Sequence, residues 1–310
     1  MKILIVDDDI DLSELIKTKL QTEGHQVGVV HSGEVAFETA KSFKPDIVLL
    51  DIMLPGITGY QICRKIRKDP EIYKTAILIL TALGEEPEML HGLEQGADDY
   101  LVKPFKLERL MDKISSLGVL LASINTRNPI TNFPGTDAIK REINHKLARG
   151  EKIAVIYINI IGFKPYYMSR GPEEQRRALN FLAGLMVDIK RSLGIYECFM
   201  AHMGGEHFVV LMDANDYEKF CETLISTFDH KKKELYSPQE YEHGYIIALD
   251  RKGVEVKFPL MALSIGVVLN LYRPFRNSKK MFEVLAQVRQ KAQPVNGKSV
   301  YFVDRRHTER

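Results

Sequence analysis

Tryptophan is absent from the 310 residues, and cysteine occurs only at positions 63, 198 and 221. Three thiols so far apart build neither a disulfide framework nor a zinc-ligand spacing, so buried free thiols in a reducing compartment are expected. Long apolar runs are missing as well. The opening stretch, MKILIVDDD, turns acidic after one short aliphatic run, which excludes a signal peptide there. No segment approaches the roughly 20 apolar residues of a membrane span. Charge of one sign is also lacking: 43 Lys and Arg against 41 Asp and Glu leave a formal net charge of +2. That balance makes no electrostatic case for a nucleic-acid or anionic membrane partner. A cytoplasmic protein is expected, with enough chain for two domains that each bury a core.

Residues 1–105 alternate strand-length aliphatic runs with helix-periodic segments. KILIV, HQVGVV, DIVLL, AILIL and DYLV are continuous and apolar, as strands buried on both faces must be. In DLSELIKTKL the residues Leu12, Leu15, Ile16 and Leu20 share one helical face,. The alternation predicts a doubly wound parallel sheet with helices on both sides. Ligands in such sheets sit beyond the carboxyl ends of the strands, so the residues found there matter most. The first strand runs into Asp7, Asp8 and Asp9, the third ends at Asp51, the fourth at Thr81, and the fifth at Lys103-Pro104. Carboxylates crowded on one edge need a cation, and an all-oxygen donor set suits Mg²⁺. A metal, a lysine and a hydroxyl around one carboxylate suit phosphoryl transfer to that carboxylate, because together they neutralise the equatorial oxygens.

This half resembles a two-component receiver domain along its whole length. The resemblance rests on VDDD at 6–9, LLDIMLPGITG at 49–59, TA at 81–82 and DDYLVKPF at 98–105. It implies a flavodoxin-like five-stranded α/β fold, with Asp51 phosphorylated by a sensor histidine kinase. It further implies that Asp8, Asp51 and the backbone carbonyl of Met53 hold Mg²⁺, with Asp7 completing the acidic pocket. Lys103 would pair with the phosphoryl group through a cis peptide to Pro104, and Thr81 would donate its hydroxyl. Tyr100 would swing inward behind Thr81, altering the surface around the fourth helix and fifth strand.

The segment KLERLMDKISSLGVLLASIN has helical apolar spacing, with Gly118 as a point where the helix ends or bends,. The domains are expected at 1–122 and 123–310. From 128 onward the pattern predicts a helix at 137–148, a strand at 153–160, a helix at 173–193 and a hairpin at 198–212. A helix at 216–233, a hairpin at 244–258 with its turn at 250–253, a strand at 260–269, a helix at 278–292 and a strand at 299–303 follow. Hairpin-paired strands with long helices between them argue for an α+β domain with a mixed or antiparallel sheet. Asn159 would lie near the turn formed by Gly204 and Gly205.

This second half resembles the GGDEF domain, the diguanylate cyclase fold, over 128–304. ITNFPG at 130–135, YINIIGFK at 157–164, MGGEHF at 203–208, LSIGVV at 263–268 and NGKSVYF at 296–302 carry the resemblance. The catalytic set does not carry over. The family's metal carboxylate is Asn159 here; Glu206 is retained, but the glutamate after it is His207, an unsuitable ligand for Mg²⁺. The guanine-reading positions are Tyr167 and Arg176, and the arginine before the signature is His202. Lys164 survives, and Lys291 or Lys298 occupies the C-terminal phosphate-contacting segment. At the family's product-inhibition site stand Ile195 and Cys198. The stretch therefore looks like the remains of an active site, with no nucleotide expected and no enzymatic activity. His202 and His207 read as polar hairpin-tip residues, and Tyr166, Tyr167 and Met168 as an apolar plug in a vacated pocket. Residues 244–259 form an extra hairpin that either packs on its own domain, the favoured reading, or offers an edge to a partner.

The expected whole is a response regulator whose phosphorylation controls an inactive GGDEF-like output domain. That domain would act through contacts with a downstream protein not identified by the sequence, or through a phosphorylation-regulated homodimer. The alternatives are a residual or altered nucleotide cyclase and a non-catalytic nucleotide receptor.

Overall fold

A computed structural model describes residues 1–82, 95–249, 253–292, 294 and 297–307. The chain divides into two compact units, Met1–Asn125 with Asn144–Gly150, and Thr126–Ile143 with Glu151–Arg310.

In the first unit, β1 (Lys2–Val6), β2 (Gln26–Val30), β3 (Ile47–Asp51), β4 (Ala76–Thr81) and β5 (Asp99–Val102) form one parallel sheet in the order β2-β1-β3-β4-β5. Every residue of β3 and β4 is buried. Because side chains alternate across a strand, each strand feeds two cores. Leu4, Val6, Val48, Leu50, Ile77 and Ile79 meet α2 (Gly33–Phe43) and α3 (Gly59–Lys68) on one face. Ile3, Ile5, Ile47, Leu49, Leu78 and Leu80 meet α1 (Ile10–Thr22) and α4 (Leu107–Asn125) on the other. The helices start where the sequence supplies caps: Asp9 accepts the N–H of Leu12, and Thr58 with Gln61 forms a capping box,.

Helix α4 runs through Gly118 without a break, which corrects the expected weak point. A glycine inside a helix costs about 1 kcal/mol relative to alanine. Burial of Leu110, Ile114 and Leu117 on the sheet outweighs it,. The region expected to hold the helix between β4 and β5 lies outside the described residues.

The second unit holds α5 (Thr136–Ala148, which the division of units splits), β6 (Ile153–Ile161), α6 (Phe163–Met168), α7 (Pro172–Ser192), β7 (Cys198–Gly204), β8 (His207–Asp213) and α8 (Tyr217–Lys231). It continues with α9 (Pro238–His243), β9 (Tyr245–Leu249), β10 (Glu255–Pro259), β11 (Ala262–Leu269), α10 (Ser278–Arg289) and β12 (Val300–Asp304). Its main sheet has the order β12-β11-β6-β8-β7; β11 and β12 are parallel and the other pairs antiparallel, so the sheet is mixed. One face carries the core of Ile156, Ile158, Phe208, Val210 and Ile265 against Leu182, Met186, Phe220 and Leu224.

Two short helices, α6 and α9, were not anticipated, because six residues are too few to display a helical period. The start of α9 was nevertheless legible: Ser237 and Glu240 form a capping box with Pro238 in the first turn,. The predicted 278–292 helix stops at Arg289. Of the predicted 250–253 turn, only Gly253 is described. Among the described residues, no helix is long and apolar enough to cross a membrane.

Candidate functional site

Parallel strands β1 and β3 are neighbours in register, so Asp7, one step past β1, and Asp51, the last residue of β3, arrive side by side. Asp7 is fully buried and Asp51 nearly so, whereas Asp8 is exposed. Ligand oxygens of Asp7, Asp8 and Asp51 all lie within 4.8 Å of one another. Glycine makes this convergence possible. A Cβ on Gly59 would sit 2.1 Å from the carbonyl oxygen of Asp51, so only glycine lets the start of α3 approach the end of β3.

Lys103, at the end of β5, reaches into the cluster. Its Nζ donates to Asp7 Oδ2 at 2.7 Å and to Asp51 Oδ2 at 2.5 Å. The second oxygen of each carboxylate is held by backbone: Asp7 Oδ1 accepts the N–H of Asp9 at 3.0 Å, and Asp51 Oδ1 that of Met53 at 2.9 Å. The Lys103-Pro104 peptide is cis, as the resemblance implied. The backbone N–H of Lys103 donates to the carbonyl of Thr81 at 2.7 Å, tying the ends of β4 and β5 together. Thr81 is buried. Tyr100 is half-buried against the core, with the Lys113 ammonium 5.8 Å from its ring centre. Asp7, Asp8, Asp51 and Lys103 therefore gather at one sheet edge with Thr81 at the end of β4, while Tyr100 lies within the sheet beside Ile79 and Pro104 and Met53 are exposed.

The electrostatics are unbalanced. Burial pushes the Asp7 carboxyl above its ordinary range, against the hydrogen bonds from Lys103 and Asp9,. Burial also disfavours the charged form of Lys103, but the bonds to Asp51 and Asp7 outweigh it and leave its pKa raised. Asp7 and Asp51 thus share one ammonium, with the exposed Asp8 carboxylate beside them. A hard divalent cation with oxygen ligands fits that donor set and its excess negative charge.

The glycine hairpin of the second unit is different. Gly204 (φ +105°) closes β7 and Gly205 (φ +56°) opens the turn to β8, and Asn159 stands directly opposite His207. His207 Nδ1 is 2.7 Å from the Tyr157 hydroxyl, which accepts from Arg289 at 3.1 Å. The Tyr157 and His207 rings stack at 5.7 Å. Asn159 Oδ1 is buried without a hydrogen-bond partner. Glu206 is half-buried beside this group; Lys164 and Arg176 are exposed, and Tyr167 leans on Phe163 at 5.1 Å. The hairpin thus gathers Asn159, Glu206 and His207, while Lys164, Tyr167 and Arg176 sit on α6 and α7.

Two expectations here need correction. His202 is no polar tip residue: it is buried, stacked on Phe208 at 4.3 Å, with its ring nitrogens 3.1 Å from Thr131 Oγ1 and 2.9 Å from the carbonyl of Gly205. His202 pairs in regular register with Phe208, so strand alternation carries it onto the core face with Met200, and the register shift falls only after it, before Gly204,. The apolar plug dissolves into three roles. Tyr166 is a core residue bonded to Glu174 and the carbonyl of Leu235, Tyr167 is half-buried, and Met168 is 65% exposed. Sequence reasoning missed Tyr157 and Arg289. Tyr157 shares a strand face with Asn159 and was within reach of a period-two reading, whereas Arg289 lies 132 residues away with no local signal.

The family model described as "Response regulator receiver domain" matches residues 3–115. The chain is 41% identical over 116 residues to the phosphate regulon transcriptional regulatory protein PhoB of Rhizobium meliloti, covering 37% of this chain and 51% of that protein. It is 41% identical over 113 residues to the DNA-binding response regulator MtrA of Mycobacterium tuberculosis, covering 36% and 48%. The chain spans about half the length of these curated relatives. Among solved structures, the Francisella response regulator 1452 receiver domain is similar at 33% identity and a TM-score of 0.36, covering 37% of this chain and 94% of that one. The strand order, the acidic sheet edge and the matched stretch coincide: residues 3–115 of this chain are a response regulator receiver domain.

Proposed function

We propose that the chain is a two-component response regulator that accepts a phosphoryl group on Asp51 from a sensor histidine kinase. The observation that carries this reading is Lys103 Nζ held between Asp51 Oδ2 and Asp7 Oδ2 at the edge of a three-carboxylate cluster. Asp51 Oδ2 is the nucleophile. It attacks the phosphorus, the bond from phosphorus to the donor's leaving atom breaks, and the leaving group takes up a proton. Asp8, Asp51 and the carbonyl of Met53 would hold Mg²⁺, with Asp7 behind them. When bound, the ion supplies neutralisation of the phosphoryl oxygens. Lys103 then exchanges its bond to Asp51 for one to a phosphoryl oxygen, and Thr81 donates its hydroxyl to another. Tyr100 follows Thr81 inward and passes the change to the domain surface.

The second unit is, in this reading, a GGDEF-like output domain without cyclase activity that acts by protein contacts. Support comes from the hairpin: where an active member has carboxylates, this chain has Asn159 and a His207 bonded to Tyr157, whose hydroxyl in turn accepts from Arg289. The DNA binding in the name of MtrA belongs to that protein, whose likeness to this chain covers 113 residues. The proposal is tested by incubating the chain with Mg²⁺ and a small phosphodonor and weighing it. The expected result is one phosphoryl group on the wild type and none on Asp51→Asn. An unlabelled wild type, or label that persists in the variant, contradicts the reading.

A further inference from the structure

In the segment 244–259, which the family resemblance leaves unexplained, β9 and β10 pair as a separate sheet, with no third strand among the described residues. One face packs on its own domain: Ile246 belongs to the core, Ala248 is buried, and Phe258 leans on the core. The opposite face exposes Ile247 and Leu249, and residues 253–257 are exposed throughout.

Backbone bonding decides which groups of β10 are unused. Leu260 donates its N–H to the carbonyl of Gly244 at 3.3 Å, so positions 244 and 260 form a hydrogen-bonded pair. Antiparallel pairs alternate between bonded and non-bonded types. Phe258 with Ile246 and Val256 with Ala248 are then bonded pairs, whereas Glu255 and Lys257 stand in non-bonded pairs with Leu249 and Ile247. The N–H and C=O groups of Glu255 and Lys257 therefore point away from β9, along an open edge. Pro259, next in that phase, has no N–H to offer, which confines the edge to these two residues.

We propose that β10 is a self-association edge, where two copies of this chain pair β10 with β10, antiparallel, about a twofold axis through Val256. The register follows from charge. Outward residues must face outward residues, which leaves three registers centred within the stretch. Centring on Glu255 sets Glu opposite Glu, and centring on Lys257 sets Lys opposite Lys; both are repulsive. Centring on Val256 sets Glu255 opposite Lys257 of the second copy, twice, and each such pair exchanges two N–H···O bonds. It also brings Val256 against Val256 and Val254 against Phe258, covering the apolar Val254 and Val256 that the single chain exposes. A second copy is the occupant this chemistry selects, because the strand is its own complement. An isologous pairing closes as a dimer.

The test is sedimentation of the unphosphorylated full chain, comparing wild type with Glu255→Lys, Lys257→Glu and the double reversal. The wild type should dimerise. Each single variant should weaken the dimer on the order of tenfold or more, because two like-charge pairs replace two attractive ones. The double reversal should restore it. A monomeric wild type, which would leave the edge to a strand of another protein, overturns the proposal. So do single variants that dimerise as the wild type does, or a double reversal as weak as the singles. Val256→Cys checks the register independently of charge. Its two Cα atoms would lie about 4.5 Å apart across the axis, within disulfide range. Mild oxidation should link Val256→Cys chains covalently, and adding Lys257→Glu should suppress the link; absence of the link in a dimeric sample overturns the register. None of these outcomes depends on Asp51, so the receiver reading stands or falls separately.

Discussion

The acidic sheet edge of the first unit and the glycine hairpin of the second are both places where strand ends collect polar side chains. They balance those side chains in opposite ways. At the edge, three carboxylates face one lysine, and burial raises the Asp7 carboxyl despite that lysine. The charge left over suits a hard cation. At the hairpin, partners are internal: His207 bonds Tyr157, Tyr157 bonds Arg289, and His202 is fixed between Thr131 and Gly205. Apart from Asn159 Oδ1, which is left without a partner, groups that bond one another have less to offer a ligand, because binding must first break those bonds,.

The comparison breaks most sharply at Asp51. Asp51→Asn should abolish phosphoryl uptake entirely, read by mass after exposure to a phosphodonor. Gly59→Ala should come next. The new Cβ would collide with the Asp51 carbonyl, lowering the stability of the first unit by roughly 3 kcal/mol or more while the second unit melts normally. Urea unfolding followed by circular dichroism checks this, since the chain has no tryptophan to report by fluorescence.

Acid should separate the units further. Burial holds His202 and His207 below the ordinary imidazole pKa. The unfolded chain therefore takes up protons at a pH where the folded second unit resists them. Stability is complete above about 6.5 and is lost as pH falls below it toward the folded values. The second unit should lose roughly 2–8 °C in Tm between pH 7 and pH 5.5, measured by calorimetry. The smallest expected effect is none. Asn159→Asp with His207→Glu restores two acidic positions but leaves Tyr167 and Arg176 where guanine-reading groups are needed, so no cyclic dinucleotide should form from GTP and Mg²⁺. Turnover detected by chromatography would return the hairpin to the class of working sites.

The first unit was legible because each parallel strand is a largely aliphatic run and its chemical residues sit at strand ends or one step past them. The same reading erred where a distant contact outweighed a local preference. Gly118 marks a helix end by propensity, yet Leu117 and Ile114 are held by the sheet. His202 reads as a polar hairpin-tip residue, yet its pairing with Phe208 puts it on the core face, where it meets the distant Thr131. Met168 reads as core by hydropathy and is exposed, because Phe163 and Tyr166 already fill the interior of α6.

Composition and order along the chain determined the aliphatic strands, the acids at their ends, the glycine turns, and a β10 strand with Glu255 and Lys257 two residues apart. These are local properties, set by side-chain chemistry and by a period of two or 3.6. Tertiary structure alone decided which acids share one lysine, which side chains meet His207, and which edge of β10 is left open. Each of those depends on pairing between segments far apart in the chain, and a single strand's pattern carries no information about its partner or its bonded edge.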